Sequence, residues 1–186
     1  MPVWAWILIV LAIVMIGAAI AFSAKRSVHR ERLRRDFGPE YDRTVEASAG
    51  RKEAEAELEE RRQRRAQLVI RPLDAAARQQ YSRSWTQTQS RFVDQPVEAV
   101  READVLVMQV MRERGYPTAG FEERSADVSV DHPFVVENYR AAHAIAMANE
   151  RGLATTEDLR QAMVHYRALF QDLLADPNER TMREAR

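Results

Sequence analysis

Residues 155–174 read TTEDLRQAMVHYRALFQDLL, and this stretch decides the fold. Leu159, Met163, Tyr166, Leu169, Phe170 and Leu173 recur at spacings of three and four, so they fall on one stripe of an α-helix and not on one face of a strand. Thr155 with Asp158 three residues on imitates a capping box, although Glu or Gln is the commoner partner. Such a stripe has to be buried against other helices.

Those helices lie upstream. Asp131-His132-Pro133 restarts the chain with Asp131 as the expected cap. Val136, Tyr139, His143 or Ala144, and Met147 then line the face of a helix ending at Gly152. Phe121 to Val128 reads as a short helix. Pro96 opens a long one with Val97, Val100, Ala103, Val107 and Met111 as its stripe and Gly115 as its stop. Asp74 caps another that runs to about Val93, with Tyr81, Trp85, Thr88 and Phe92 on one face. The only strand-like runs, Leu68-Val69-Ile70 and Val128-Ser129-Val130, are too short to decide anything. The expectation is all-α: residues 72–176 as a bundle of four long helices and one short one, with residues 177–186 as a polar tail.

Upstream of the bundle, Arg51 to Leu68 is rich in helix formers but has almost no apolar stripe. Glu57 with Arg61 and Glu60 with Arg64 form i,i+4 pairs in the favourable order, each worth about 0.2 to 0.5 kcal/mol. This segment, whose only large apolar residues are Leu58 and Leu68, is read as a solvated, charged helical stalk or as one arm of a long hairpin. Leu33, Phe37, Tyr41 and Val45 recur every four residues, interrupted by Gly38-Pro39, which predicts a helix ending near Phe37 and a new one starting at Pro39. Residues 25–71 are thus expected to form a basic juxtamembrane segment and a stalk.

The word juxtamembrane follows from residues 3–24, VWAWILIVLAIVMIGAAIAFSA, which carry no charge and would make a helix of about 33 Å. Such a helix spans a bilayer. Trp4 and Trp6 sit at one end, where indole favours the headgroup layer. Lys25, Arg26, Arg30, Arg32, Arg34 and Arg35 follow the other end against only Glu31 and Asp36. No cation precedes the apolar run, which opposes a cleaved signal peptide. The positive-inside rule then places the N-terminus outside and the bundle in the cytoplasm, at the bacterial cytoplasmic membrane. The bilayer is the first expected partner, and a homodimer through the membrane helix or the stalk is left open.

Composition narrows the function classes. Among 186 residues, 28 basic and 28 acidic side chains cancel, and there is no cysteine. That excludes a disulfide scaffold, a thiolate metal site and a strongly basic nucleic-acid binder. Lys25 and Lys52 are the only lysines, an arginine bias of the kind a GC-rich bacterial genome produces. The six glycines are scattered and build no phosphate-cradling loop, and neither G-x-S-x-G nor H-E-x-x-H occurs.

Three stretches, RLRRDFGPEYDRTV from Arg32, RFVDQPVEAVREADVLVMQVMRERGYP from Arg91 and SVDHPFVVENYRAAHAI from Ser129, resemble a widespread family of uncharacterised bacterial proteins with an N-terminal hydrophobic segment and a helical domain. The resemblance extends over nearly the whole chain and implies no activity, catalytic residue or ligand. The label "secreted" that such proteins often carry conflicts with the charge asymmetry around residues 3–24.

What chemistry remains is a candidate polar pocket. His29, His132, His143 and His165 are the four histidines, and none stands i,i+4 from another, so no helix face offers a two-histidine metal clamp. In ENYRAAH, Glu137, Arg140 and Ala144 share one side of a helix and Asn138, Tyr139 and His143 another. The candidate pocket set is Trp85, His132, Tyr139, Arg140, His143 and His165, against the competing and favoured reading that these are core residues whose buried hydrogen bonds lock the helix into the bundle; no metal and no cofactor is expected. Two functions compete. The favoured one is a protein-binding adaptor or scaffold held at the inner face of the membrane. The other is a membrane-tethered enzyme or ligand sensor using His132, Tyr139, Arg140, His143 and His165. Convergence of three of those side chains in a concavity would favour the second, and dispersal beside an exposed apolar patch the first.

Overall fold

In the computed structural model the described residues are 11, 15, 17, 25, 27–117 and 120–175, and every regular element among them is an α-helix. A helix over residues 27–37 (α1) precedes α2 (Pro39–Ala47), α3 (Arg51–Gln67), α4 (Ala75–Arg91), α5 (Pro96–Arg114), α6 (Phe121–Asp131), α7 (Val136–Glu150) and α8 (Thr156–Leu174). No strand occurs among the described residues. The apolar run 3–24 and the tail 177–186 fall outside them, apart from Leu11, Met15 and Gly17. No helix among the described residues is long and apolar enough to cross a membrane.

Local chemistry sets the helix ends. Gly38 takes φ 47°, a value side chains resist, and Pro39 behind it opens α2 at a position that needs no N–H. Asp74 accepts from the Ala77 N–H at 2.7 Å and starts α4. The Thr155 and Asp158 pair forms a full capping box on α8, each side chain taking the other's backbone N–H. A carboxylate one methylene shorter than Glu still closes it.

The chain divides into two compact units, Met1–Leu58 and Glu59–Arg186, with the division inside α3. In the first, Leu33, Phe37, Tyr41, Ala54 and Leu58 are the buried apolar side chains. Each such large side chain contributes about 1.5 to 3 kcal/mol by leaving water. The Tyr41 hydroxyl donates to Glu55 at 3.0 Å, and buried Glu40 accepts from Arg43 at 3.1 and 3.2 Å.

The second unit holds the main core. α8 packs on α5 and α7, α4 and α7 pack on α5, and α6 packs on α7. All six apolar residues of the α8 stripe are buried, together with Val100, Ala103, Val107 and Met111 of α5. These join Trp85 and Tyr139 in one cluster.

Val128-Ser129-Val130 lies in the last turn of α6, in keeping with the all-α expectation. Three expectations are corrected. The α3 segment is not solvated along its length: Ala54 and Leu58 are fully buried, Arg61 is buried, and Arg64 and Arg65 reach α6. Asp131 does not cap α7; it ends α6, and its carboxylate accepts from Arg65 and Tyr116. α7 buries Val136, Tyr139 and Ala142, while Met147 is exposed, so its inward face is rotated from the sequence reading.

Candidate functional site

The candidate pocket residues all lie in the second unit, and the structure distributes them among separate contacts. His132, buried in the α6–α7 connection, pairs through Nδ1 with Asp172 of α8 and places Nε2 3.4 Å from Arg114 of α5. Arg114 also donates to the Leu173 carbonyl at 3.0 Å. Beside it Tyr116 donates to Asp131, which takes a second bond from Arg65. The network ties α3, α5, α6 and α8 together around a side chain with no route to solvent. Its task is to satisfy polar groups inside the core, where an unpaired one would cost about 1 to 3 kcal/mol.

Tyr139 belongs to a second buried group. Its hydroxyl accepts from Arg124 of α6 at 2.7 Å, and its ring meets Tyr166 of α8 edge-on at 6.4 Å. Burial pushes the Tyr139 phenol up to about 12 despite the opposing pull of Arg124. Burial and then the Asp104 carboxylate of α5 push Tyr166 up as well, and burial followed by Asp131 does the same for Tyr116. Phenols held this way stay protonated at neutral pH and cannot serve as bases.

His143 joins the Tyr139 group through Phe121, whose ring lies 5.0 Å from that of Tyr139 and also stacks on His143, while His165 and Arg140 make other contacts. The His143 and Phe121 centroids are 3.7 Å apart, and His165 pairs with Asn138 at 2.8 Å. Arg140, largely buried, donates to exposed Glu137 at 3.4 Å. One of the set, Trp85, lines a groove. Among the described residues no group of three or more His, Cys, Asp or Glu is placed to hold a metal ion. Of the membrane-flank residues, Trp4, Trp6 and Arg26 fall outside the described residues, whereas Lys25, Arg32, Arg34 and Arg35 are exposed and Arg30 is half-buried. His29, also half-buried, is on α1.

The concavity around Trp85 lies away from the histidines and Tyr139. α4 and α8 both pack on α5, and between them runs an open groove of about 280 Å³. α4 lines it with Trp85, Gln89 and Phe92, spaced i, i+4 and i+7. α8 lines it with Met163 and Val164, bracketed by Arg160 and Arg167. Trp85 stacks on Phe170 at 4.7 Å, so the floor is held rigid from beneath. The indole N–H has no acceptor among the described residues. Val164, 49% exposed, stands apolar in solvent at the rim.

The sequence stripe of α8 absorbed Met163 and passed over Val164, Arg160 and Arg167. A signal was present. R-x-x-M-V-x-x-R, residues 160–167, puts a second apolar residue just off the core stripe between two cations, which a solvated face does not require.

Comparison of the chain with protein-family models, curated proteins and solved structures finds no match. No residue role is carried over from another protein, and the reading of the groove rests on its own chemistry.

Proposed function

We propose that this chain is a membrane-anchored adaptor whose second unit binds another protein through the α4–α8 groove. The single observation that carries the reading is the groove itself, floored by largely buried Trp85 and Met163 and half-buried Phe92 beside an exposed Val164. An aromatic anchor in a shallow apolar trough with a polar rim is how protein interfaces concentrate their binding energy. None of His132, Tyr139, Arg140, His143 and His165 lines the groove, and among the described residues no acid, base or nucleophile lines it, which supports the same side.

Anchoring rests on residues 3–24 and on the cations that follow them. In this reading the apolar run is a single transmembrane helix of a bacterial cytoplasmic membrane, with the N-terminus outside and both described units at the inner face. Holding the groove at one surface raises its effective concentration toward a partner on that surface.

Site-specific photo-crosslinking in intact cells tests both parts. A photoreactive residue at Val164 or Gln89 should give a discrete adduct in the membrane fraction, while the same residue at exposed Leu153 should not. Identical adducts from all three positions, or none from the two groove positions, would overturn the adaptor reading. A reporter fused after Arg186 should be active in the cytoplasm, and activity outside it would reverse the orientation.

A further inference from the structure

The groove's size and charge also describe its occupant. Ligand pockets that engulf a small molecule hold roughly 300 to 1,000 Å³ and close over most of its surface. This one holds about 280 Å³ and is open along its length, so it suits a few side chains projecting from a larger body. Its walls are two helical ridges, Trp85-Gln89-Phe92 and Met163-Val164, the geometry that receives the i, i+3, i+4, i+7 face of a third helix.

Charge then selects among helices. Arg160 and Arg167 both line the groove and stand seven residues apart on α8, two turns or about 10.5 Å. Arg160 holds Glu157 through two bonds, at 2.8 and 2.7 Å, but both side chains are more than half exposed, so water screens the pair and a partner carboxylate can compete for the guanidinium. Arg167 makes no ion pair among the described residues. Among the described residues no acidic side chain lines the groove, and exposed Arg160 and Arg167 flank the apolar pair on α8.

We propose that the groove takes an amphipathic helix of a partner protein in which two acidic residues seven apart bracket an apolar pair, the pattern acid-x-x-apolar-apolar-x-x-acid. The proposal rests on the adaptor reading and goes beyond it by fixing the partner's chemistry. Apolar side chains at the two middle positions enter between Trp85 and Met163. The flanking carboxylates lie over Arg160 and Arg167, where guanidinium can hold each in a bidentate manner. A lysine-bearing helix of the same apolar pattern would bring like charges together and be rejected.

The test is selection without a known partner. A displayed library of 15-residue helix-forming peptides, randomised at the four patterned positions, is panned on the full chain in detergent micelles. Binders that also hold the Val164→Asp chain are removed. The expected survivors carry acids at both outer positions and lose affinity at least about tenfold on the Arg160→Glu/Arg167→Glu chain. Panning on that charge-reversed chain should enrich lysine or arginine at the same positions. Groove-dependent binders with no charge preference, or with a basic one on the native chain, would overturn the acidic partner and leave the adaptor reading standing. Absence of any binder sensitive to Val164→Asp, with circular dichroism showing both chains folded, would overturn both. Sedimentation reports a third outcome: a dimer that Val164→Asp dissolves would make the occupant a second copy of the chain and overturn the proposal.

Discussion

Gly115 shows how much a single residue can hold. It ends α5 with φ 97°, and a Cβ built on it would lie 2.5 Å from the Val69 carbonyl oxygen. Only glycine meets both demands, because the left-handed backbone penalises side chains and the contact is with backbone that cannot swing aside. The close approach itself has a purpose: next to it the Arg71 N–H donates to the Arg114 carbonyl at 2.8 Å and clips the α3–α4 connection to the end of α5. Gly115→Ala should therefore destabilise the fold by about 1 to 3 kcal/mol, more than loss of a helix stop alone. Urea titration followed by circular dichroism checks this, and a change below about 0.5 kcal/mol would show that Val69 moves freely. The sequence displayed the stop but not the contact, since nothing local reveals which loop passes by.

Elements were legible where burial imposes a period. The α8 stripe, the Pro96 start of α5 and the Gly38-Pro39 break are all decided by residues within one or two turns, and the structure has them where the sequence reading did. α3 was misread for the opposite reason. Its buried face is made of Ala54, Leu58 and arginine stems, which a hydropathy pattern records as polar although a guanidinium stem covers apolar surface well. What holds the second half of α3 to α6 is charge: Arg64 lies 3.6 Å from Asp127, and Arg65 pairs with Asp131. Asp127 is buried, and the cost of desolvating its carboxylate outweighs Arg64, so its pKa is raised above the ordinary value. A raised carboxyl pKa means the folded state is penalised while both states are ionised, and the penalty disappears once pH falls below the unfolded value of 3.8. Asp127→Asn is thus expected to raise Tm at pH 7, with the gain shrinking as pH falls and gone below about 3.8. A lower Tm at pH 7 would show that the Arg64 attraction exceeds the desolvation cost.

At the scale of the whole molecule, the polar candidates and the groove follow from one fact: long-range convergence is invisible in a single sequence. His132 and Asp172 are 40 residues apart, and Arg65 and Asp131 are 66 apart, so their pairing is a product of packing that no motif announces. The same holds for the boundary between units. Residues 72–176 contain every apolar stripe of the bundle, and on stripes alone that segment should fold by itself. The structure adds the second half of α3, because the Arg65 bond to Asp131, the Arg61 approach to Ser129 at 3.5 Å and the Arg71 N–H clip all lie upstream of residue 72. Removing them leaves Asp127 buried without Arg64 and Asp131 with one donor fewer, and an abandoned buried charge costs more than its pair was worth. A chain of residues 59–175 is therefore expected to melt in one cooperative transition. A chain of residues 72–175 should melt at least about 4 to 8 °C lower, the shift that roughly 1 kcal/mol makes in a domain near this size. Differential scanning calorimetry of the two distinguishes the cases. Equal transitions would return α3 to the role of a stalk, and failure of residues 59–175 to melt cooperatively would show that the first unit is part of the same folding unit.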